Sequence, residues 1–156
     1  MCGIVGYIGS REASAVVLGG LQKLEYRGYD SAGIAVLAQN GHISLRRDVG
    51  KLNNLATTLQ ASPLSGHLGI GHTRWATHGK PTAQNAHPHV GMNHQVVVVH
   101  NGIVENFISL RDELEAEGVA FQSETDSEVI VQLVERYLEA GAQLETAVSQ
   151  TLIQLK

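Results

Sequence analysis

The sequence predicts an α+β domain, and three observations carry that reading. Strand-like and amphipathic helical stretches both run through the 156 residues. Asn40-Gly41 lies between two strand-like runs, a hairpin signal that implies antiparallel pairing. Val96-Val97-Val98-Val99 shows no polar alternation and reads as a strand buried on both faces. No internal repeat, low-complexity tract or Pro/Gly/Ser linker divides the chain, so one domain is expected.

Residues 3–8 read as a short buried strand. A helix follows from about Glu12 to Leu24, where Ala13, Val17, Leu21 and Leu24 share one face. Gly19-Gly20 inside it costs helix stability and suggests close packing there. The polar, aperiodic segment Tyr26-Arg27-Gly28-Tyr29-Asp30-Ser31 reads as a loop. Residues 32–38 and 42–48 are the hairpin strands. Leu52, Leu55 and Leu59 mark a second helix, and His67 to Thr73 a further strand. A third helix spans about Glu105 to Glu117, with Phe107, Leu110 and Leu114 on one face and Gly118 as its stop. Thr125 and Glu128 have capping-box spacing at the head of a fourth, striped by Ile130, Leu133, Val134, Tyr137 and Leu138. A last helix carries Leu144, Val148, Leu152 and Leu155. Its stripe still runs at Lys156 without a stop signal, which reads as a cut chain.

An apolar fraction of 43% and a charged fraction of 17% describe a globular protein. A net charge of −4 with no basic run argues against nucleic acid or an anionic membrane as partner. No apolar stretch is long enough to span a bilayer, and no secretory signal is visible. With a single cysteine nothing points to an oxidising compartment, so the cytoplasm is expected.

That cysteine is Cys2. Removal of the initiator Met would leave one residue holding a thiol and a free α-amine, a nucleophile and a general base a few bonds apart. The plainer reading is a small buried side chain on the first strand. The segment His72-Thr73-Arg74-Trp75-Ala76-Thr77-His78-Gly79 follows a strand with little apolar periodicity. In it Arg74 offers a planar fork for a carboxylate, Thr77 a hydroxyl, and Trp75 a movable cover. Taken singly, such an Arg fits a surface ion pair and such a Trp a core. His100-Asn101-Gly102 sits at the end of the four-valine strand. The Asn101 amide and the Gly102 N–H suit an oxyanion, although Asn-Gly is also ordinary turn chemistry. Asp126 either compensates a helix dipole or faces a cleft and binds a cation. Eight histidines invite a metal, but no His-Glu-x-x-His run or three-ligand spacing is present, so no metal is assigned.

Four segments occur together: Cys2-Gly3-Ile4-Val5-Gly6, Tyr26-Arg27-Gly28-Tyr29-Asp30-Ser31-Ala32-Gly33, His72 to Gly79, and Val99-His100-Asn101-Gly102. In their order and spacing they resemble the class II glutamine amidotransferases. The Tyr26-to-Gly33 and His72-to-Gly79 strings are similar to the glutaminase domain of the glutamine–fructose-6-phosphate aminotransferase family. They favour it over the purine-pathway amidotransferases or asparagine synthetases, and the resemblance runs from residue 2 to the end. It implies an N-terminal-nucleophile hydrolase fold, a four-layer α/β/β/α arrangement with antiparallel sheets. It also implies L-glutamine as substrate, hydrolysed to glutamate and ammonia, with no cofactor. By the same resemblance Cys2 is the nucleophile, Asn101 and Gly102 the oxyanion hole, and Arg74, Thr77, His78 and Asp126 the glutamine-binding set. Trp75 is similar to a gating residue, and Arg27 to a support of the N-terminus.

Such domains continue with further strands and are followed by sugar-phosphate isomerase domains, neither of which residues 1–156 supply. A C-terminally incomplete domain is therefore expected, with an exposed apolar sheet edge and self-association. The other reading is an inactive fragment that only binds glutamine or a partner, such as synthase domains.

Overall fold

The computed structural model describes residues 2–76 and 79–156. Six strands and five helices follow in order: β1 Gly3–Ile8, α1 Ala13–Leu24, β2 Ser31–Leu37, β3 Ile43–Val49, α2 Leu52–Ala61, β4 Leu68–Arg74, β5 His89–Val90, β6 Val97–Val98, α3 Phe107–Ala116, α4 Glu128–Glu139 and α5 Leu144–Gln154. Four strands form an antiparallel sheet in the order β1-β4-β2-β3, and β5 pairs with β6 in a second, two-stranded sheet.

Alternation along β2 sets the layers. Ala32, Ile34 and Val36 point one way and join Ala13, Val17 and Leu21 of α1 and Leu52 and Leu55 of α2 in a closed core. Gly33 and Ala35 point the other way, toward the second sheet. A Cβ on Gly33 would run into the His87 carbonyl oxygen, so the sheets meet there too closely for any side chain. Beyond the second sheet, Val104, Leu110, Leu114, Val129, Ile130 and Leu133 form a second core, with Val98 packed against it. Helices, sheet, sheet and helices thus stack in the order the family resemblance implies.

Most elements lie where the sequence puts them. Gly20 faces Val5, where a Cβ would approach Val5 Cγ1 to 2.8 Å, while Gly19 faces open space, so only one of the pair is needed for packing. Gly41, at φ 79°, provides the left-handed turn residue of the hairpin.

Four expectations are corrected. The first strand is not a buried one: only Gly3 of β1 is buried, and Ile4 and Ile8 are exposed because β1 is the edge strand of its sheet. The valine run yields a strand of two residues, and Val96 to Val99 are half-buried. One side packs toward the second core, while Val96 and Val97 line an open groove against β2 and β4. The capping box does not form. Ser127 precedes α4, and Glu128, 1% exposed, instead accepts N–H bonds from Gln122 and Ser123 at 2.8 and 2.7 Å. Finally, α5 turns its small residues Ala147 and Thr151 inward and leaves Leu144, Val148 and Leu152 exposed. Its apolar stripe is therefore not the face it buries.

Candidate active site

Antiparallel pairing of β1 with β4 brings the start of one strand beside the end of the other. Gly3 is opposite Thr73, so Cys2 falls beside Arg74 and Trp75. The Trp75 backbone N–H donates to Cys2 Sγ at 3.2 Å. Gly3 is required in this crossing, because a Cβ there would come within 2.9 Å of both Leu24 Cδ1 and Thr73 Oγ1. The Gly3 N–H itself donates to Thr73 Oγ1 at 3.0 Å.

Residue alternation on β4 turns His72 and Arg74 toward the second sheet, where a cleft of about 430 Å³ opens. Cys2, Arg74 and Trp75 line one side of it, and Asn101, Gly102 and Asp126 the other. That volume is in the range of small-molecule sites. Asn101 Nδ2 lies 3.5 Å from the Cys2 carbonyl oxygen, which brings the amide donor beside Cys2. Asp126, 4% exposed, accepts the Val104 N–H at 2.8 Å and lines the cleft.

Arg74 is also 4% exposed, and its guanidinium reaches the Lys80 and Gly79 carbonyls at 3.5 Å. Burial lowers its pKa, opposed by the charges of Asp30, Cys2 and Asp126. Trp75 is 56% exposed and lines the cleft. Its ring lies against Gly28, whose φ of 71° and 3.0 Å Cβ approach to Trp75 Cζ3 explain a glycine at that point. Arg27 lines the cleft and donates to the Tyr26 hydroxyl at 3.2 Å. Thr77 and His78 lie outside the described residues.

Several site residues escaped the sequence reading. Asp30 accepts the Ala76 N–H at 2.5 Å, and its own N–H donates to the Arg74 carbonyl at 2.8 Å. It thereby ties down the segment that carries Trp75. His72, His87 and His89 form a buried column behind the cleft. The rings of His72 and His87 stack at 4.3 Å, and those of His87 and His89 meet edge-on at 4.4 Å. Burial is the largest cause of their lowered pKa values, pushing His72 to about 4 and His89 to about 3, with His87 also pushed down. All three are uncharged at neutral pH. The alternation of His72 and Arg74 on β4 and the two-residue spacing of His87 and His89 were the signals available for this column.

A sheet-on-sheet domain with its cleft at the N-terminal end of β1 is an N-terminal-nucleophile hydrolase fold, and known structures agree. The glutamine PRPP amidotransferase of B. subtilis, complexed with ADP and GMP, superposes with a TM-score of 0.81 at 27% identity. It is matched by all of this chain and 33% of its own. A second structure, described as the allosteric regulatory enzyme of purine biosynthesis, gives 0.83 at 27% identity over the same shares.

The chain belongs to the glutamine amidotransferase domain family, whose model matches residues 57–148. It is similar to glutamine–fructose-6-phosphate aminotransferase (isomerizing) of Leifsonia xyli, 53% identical over 157 residues. The enzyme of that name from Escherichia coli K12 is 53% identical over 156 residues. All of this chain is covered in both alignments, but it spans only 26% and 25% of those relatives.

Proposed function

We propose that this chain hydrolyses the side-chain amide of L-glutamine to glutamate and ammonia through a thioester on Cys2. The observation that supports this most is the convergence of Cys2, Asn101, Gly102, Arg74 and Asp126 on one cleft. With Met1 removed, the α-amine of Cys2 takes the thiol proton and the thiolate attacks the amide carbon. Asn101 Nδ2 and the Gly102 N–H hold the resulting oxyanion. The carbon–nitrogen bond breaks, ammonia leaves with the proton, and water then cleaves the thioester to glutamate and regenerates the thiol.

Arg74 pairs with the substrate carboxylate through its fork, and Asp126 with the ammonium, so both ends of the zwitterion are read. Thr77 and His78 complete the binding set, Trp75 closes over it, and Arg27 supports the N-terminus. Residues 1–156 act as one amidotransferase domain. The ammonia serves amination of fructose 6-phosphate by synthase domains outside residues 1–156, the reaction named for the relatives. Among the described residues no helix is long and apolar enough to cross a membrane. Ile4, Ile8 and Leu68, all exposed on β1 and β4, support self-association of the 156-residue chain.

The test is glutamate release from glutamine by the 156-residue chain beside a Cys2→Ala variant. Release confined to the Cys2 protein is expected. Equal release by both, or by neither, would refute the assignment.

A further inference from the structure

We propose that His72 is a positioning residue that fixes the orientation of the Asn101 amide, so that its N–H groups rather than its oxygen face Cys2. This rests on the glutaminase reading above and adds to it a residue that does not touch the substrate's reacting atoms.

Asn101 is exposed in the loop three residues beyond β6, and nothing about its backbone decides which way a nearly symmetric amide turns. The decision falls to what lies behind it. His72 Nε2 is 2.7 Å from Asn101 Oδ1, and His72 is 1% exposed. A carbonyl oxygen only accepts, so Nε2 carries the hydrogen. His72 Nδ1 is the one buried side-chain polar atom without a partner within ordinary hydrogen-bond geometry among the described residues, and the ring's other polar neighbour is the His100 backbone. In the opposite tautomer Nε2 would turn its lone pair on Asn101. That lone pair would pull the NH₂ group inward and swing Oδ1 toward Cys2, destroying the oxyanion donor. One proton position on His72 therefore selects the active amide orientation.

The ring is held to this task from both sides. β4 fixes its backbone between β1 and β2, with Ile4 and Gly33 as its register partners. The His87 ring stacks on it with planes 21° apart. His87 Nδ1 accepts the His100 backbone N–H at 3.3 Å, so the residue that clamps His72 also holds the chain one step before Asn101. His100 Nδ1 in turn lies 3.0 Å from Ser127 Oγ, next to Asp126.

The test joins a double-mutant cycle to nitrogen NMR of the unmodified chain. His72→Phe keeps the stack and removes the donor, and His72→Gln restores an N–H at similar reach. Glutamate release should fall roughly 10-fold in kcat with His72→Phe, less than the 10²–10³ for loss of the donor itself, with KM little changed. His72→Gln should recover part of the loss. In an Asn101→Ala background His72→Phe should add nothing, because its effect passes through that amide. A further fall of the same size there would overturn the proposal. Independently of turnover, the His72 imidazole should show the Nε2–H tautomer, and the Asn101 side-chain NH₂ resonances should move in His72→Phe. An Nδ1–H tautomer would overturn it even in a folded, active chain. Absence of all glutamate release would refute the glutaminase reading alone, and the NMR result would still decide the role of His72.

Discussion

The two faces of the four-stranded sheet are built from the same strands and do opposite work. Toward α1 and α2 the face is a closed apolar core in which Ile34, Val17, Leu21 and Leu55 have no exposed surface. Toward the second sheet it carries His72 and Arg74 at one end, beside Cys2. At the other end lies an open apolar groove of about 220 Å³ lined by Ala35, Leu37, Leu68 and Ile70. Stability is concentrated where burial is complete and apolar. On the other face His72 and Arg74 are buried too, but as polar side chains held by hydrogen bonds beside a cleft. A substitution on one face should thus move stability and leave catalysis, and the reverse on the other.

Asn101→Ala should separate the two most sharply, cutting glutamate release by about 10²–10³-fold while the unfolding midpoint stays put. Denaturant unfolding run beside the kinetics checks both halves, and a retained rate would remove Asn101 from the oxyanion role. Ile34→Ala should do the converse, costing about 2–5 kcal/mol of stability while each folded molecule keeps its turnover. A second loss of stability is expected in acid. Histidines titrate near 6.5 in an unfolded chain, whereas folding holds His72 near 4 and His89 near 3. The unfolded state thus binds more protons below about pH 6.5. Stability is complete above that value and falls toward pH 4 by up to about 1.4 kcal/mol per pH unit for each such histidine. Urea midpoints that stay level between about pH 7 and pH 5 would contradict neutral buried rings. Smallest of all, Ile8→Lys on the open face should change stability by no more than about 0.5 kcal/mol. Its effect should instead be less self-association by light scattering.

The same contrast marks what was legible in the sequence. The closed face was readable because burial on a helix or strand leaves a period. The stripe of Ala13, Val17 and Leu21 and the hairpin at Asn40-Gly41 both lie where that period puts them. Cys2, Arg74, Asn101, Gly102 and Asp126 were legible as motifs, and the fold brings them to one cleft. Periodicity failed where a face has no cover. The valine strand and the stripe of α5 are apolar yet partly exposed, since hydrophobic residues mark a face that can be buried rather than one that is. The buried polar groups were illegible for another reason. Glu128 is satisfied by the loop just before its own helix and the column of His72, His87 and His89 by ring contacts between segments, and no apolar period announces either a ring stack or a carboxylate capping a preceding loop. Asp30 escaped likewise, because its role depends on the register of β2 with β4.

The central claim is that Cys2, freed of Met1, carries the acyl group. The most direct test is acid-quenched turnover with isotopically labelled glutamine, followed by mass analysis of the N-terminal peptide. A peptide that begins at Cys2 and bears a labelled glutamyl group released by hydroxylamine is the expected result. Label on any other residue, or turnover by chains that retain Met1, would contradict it.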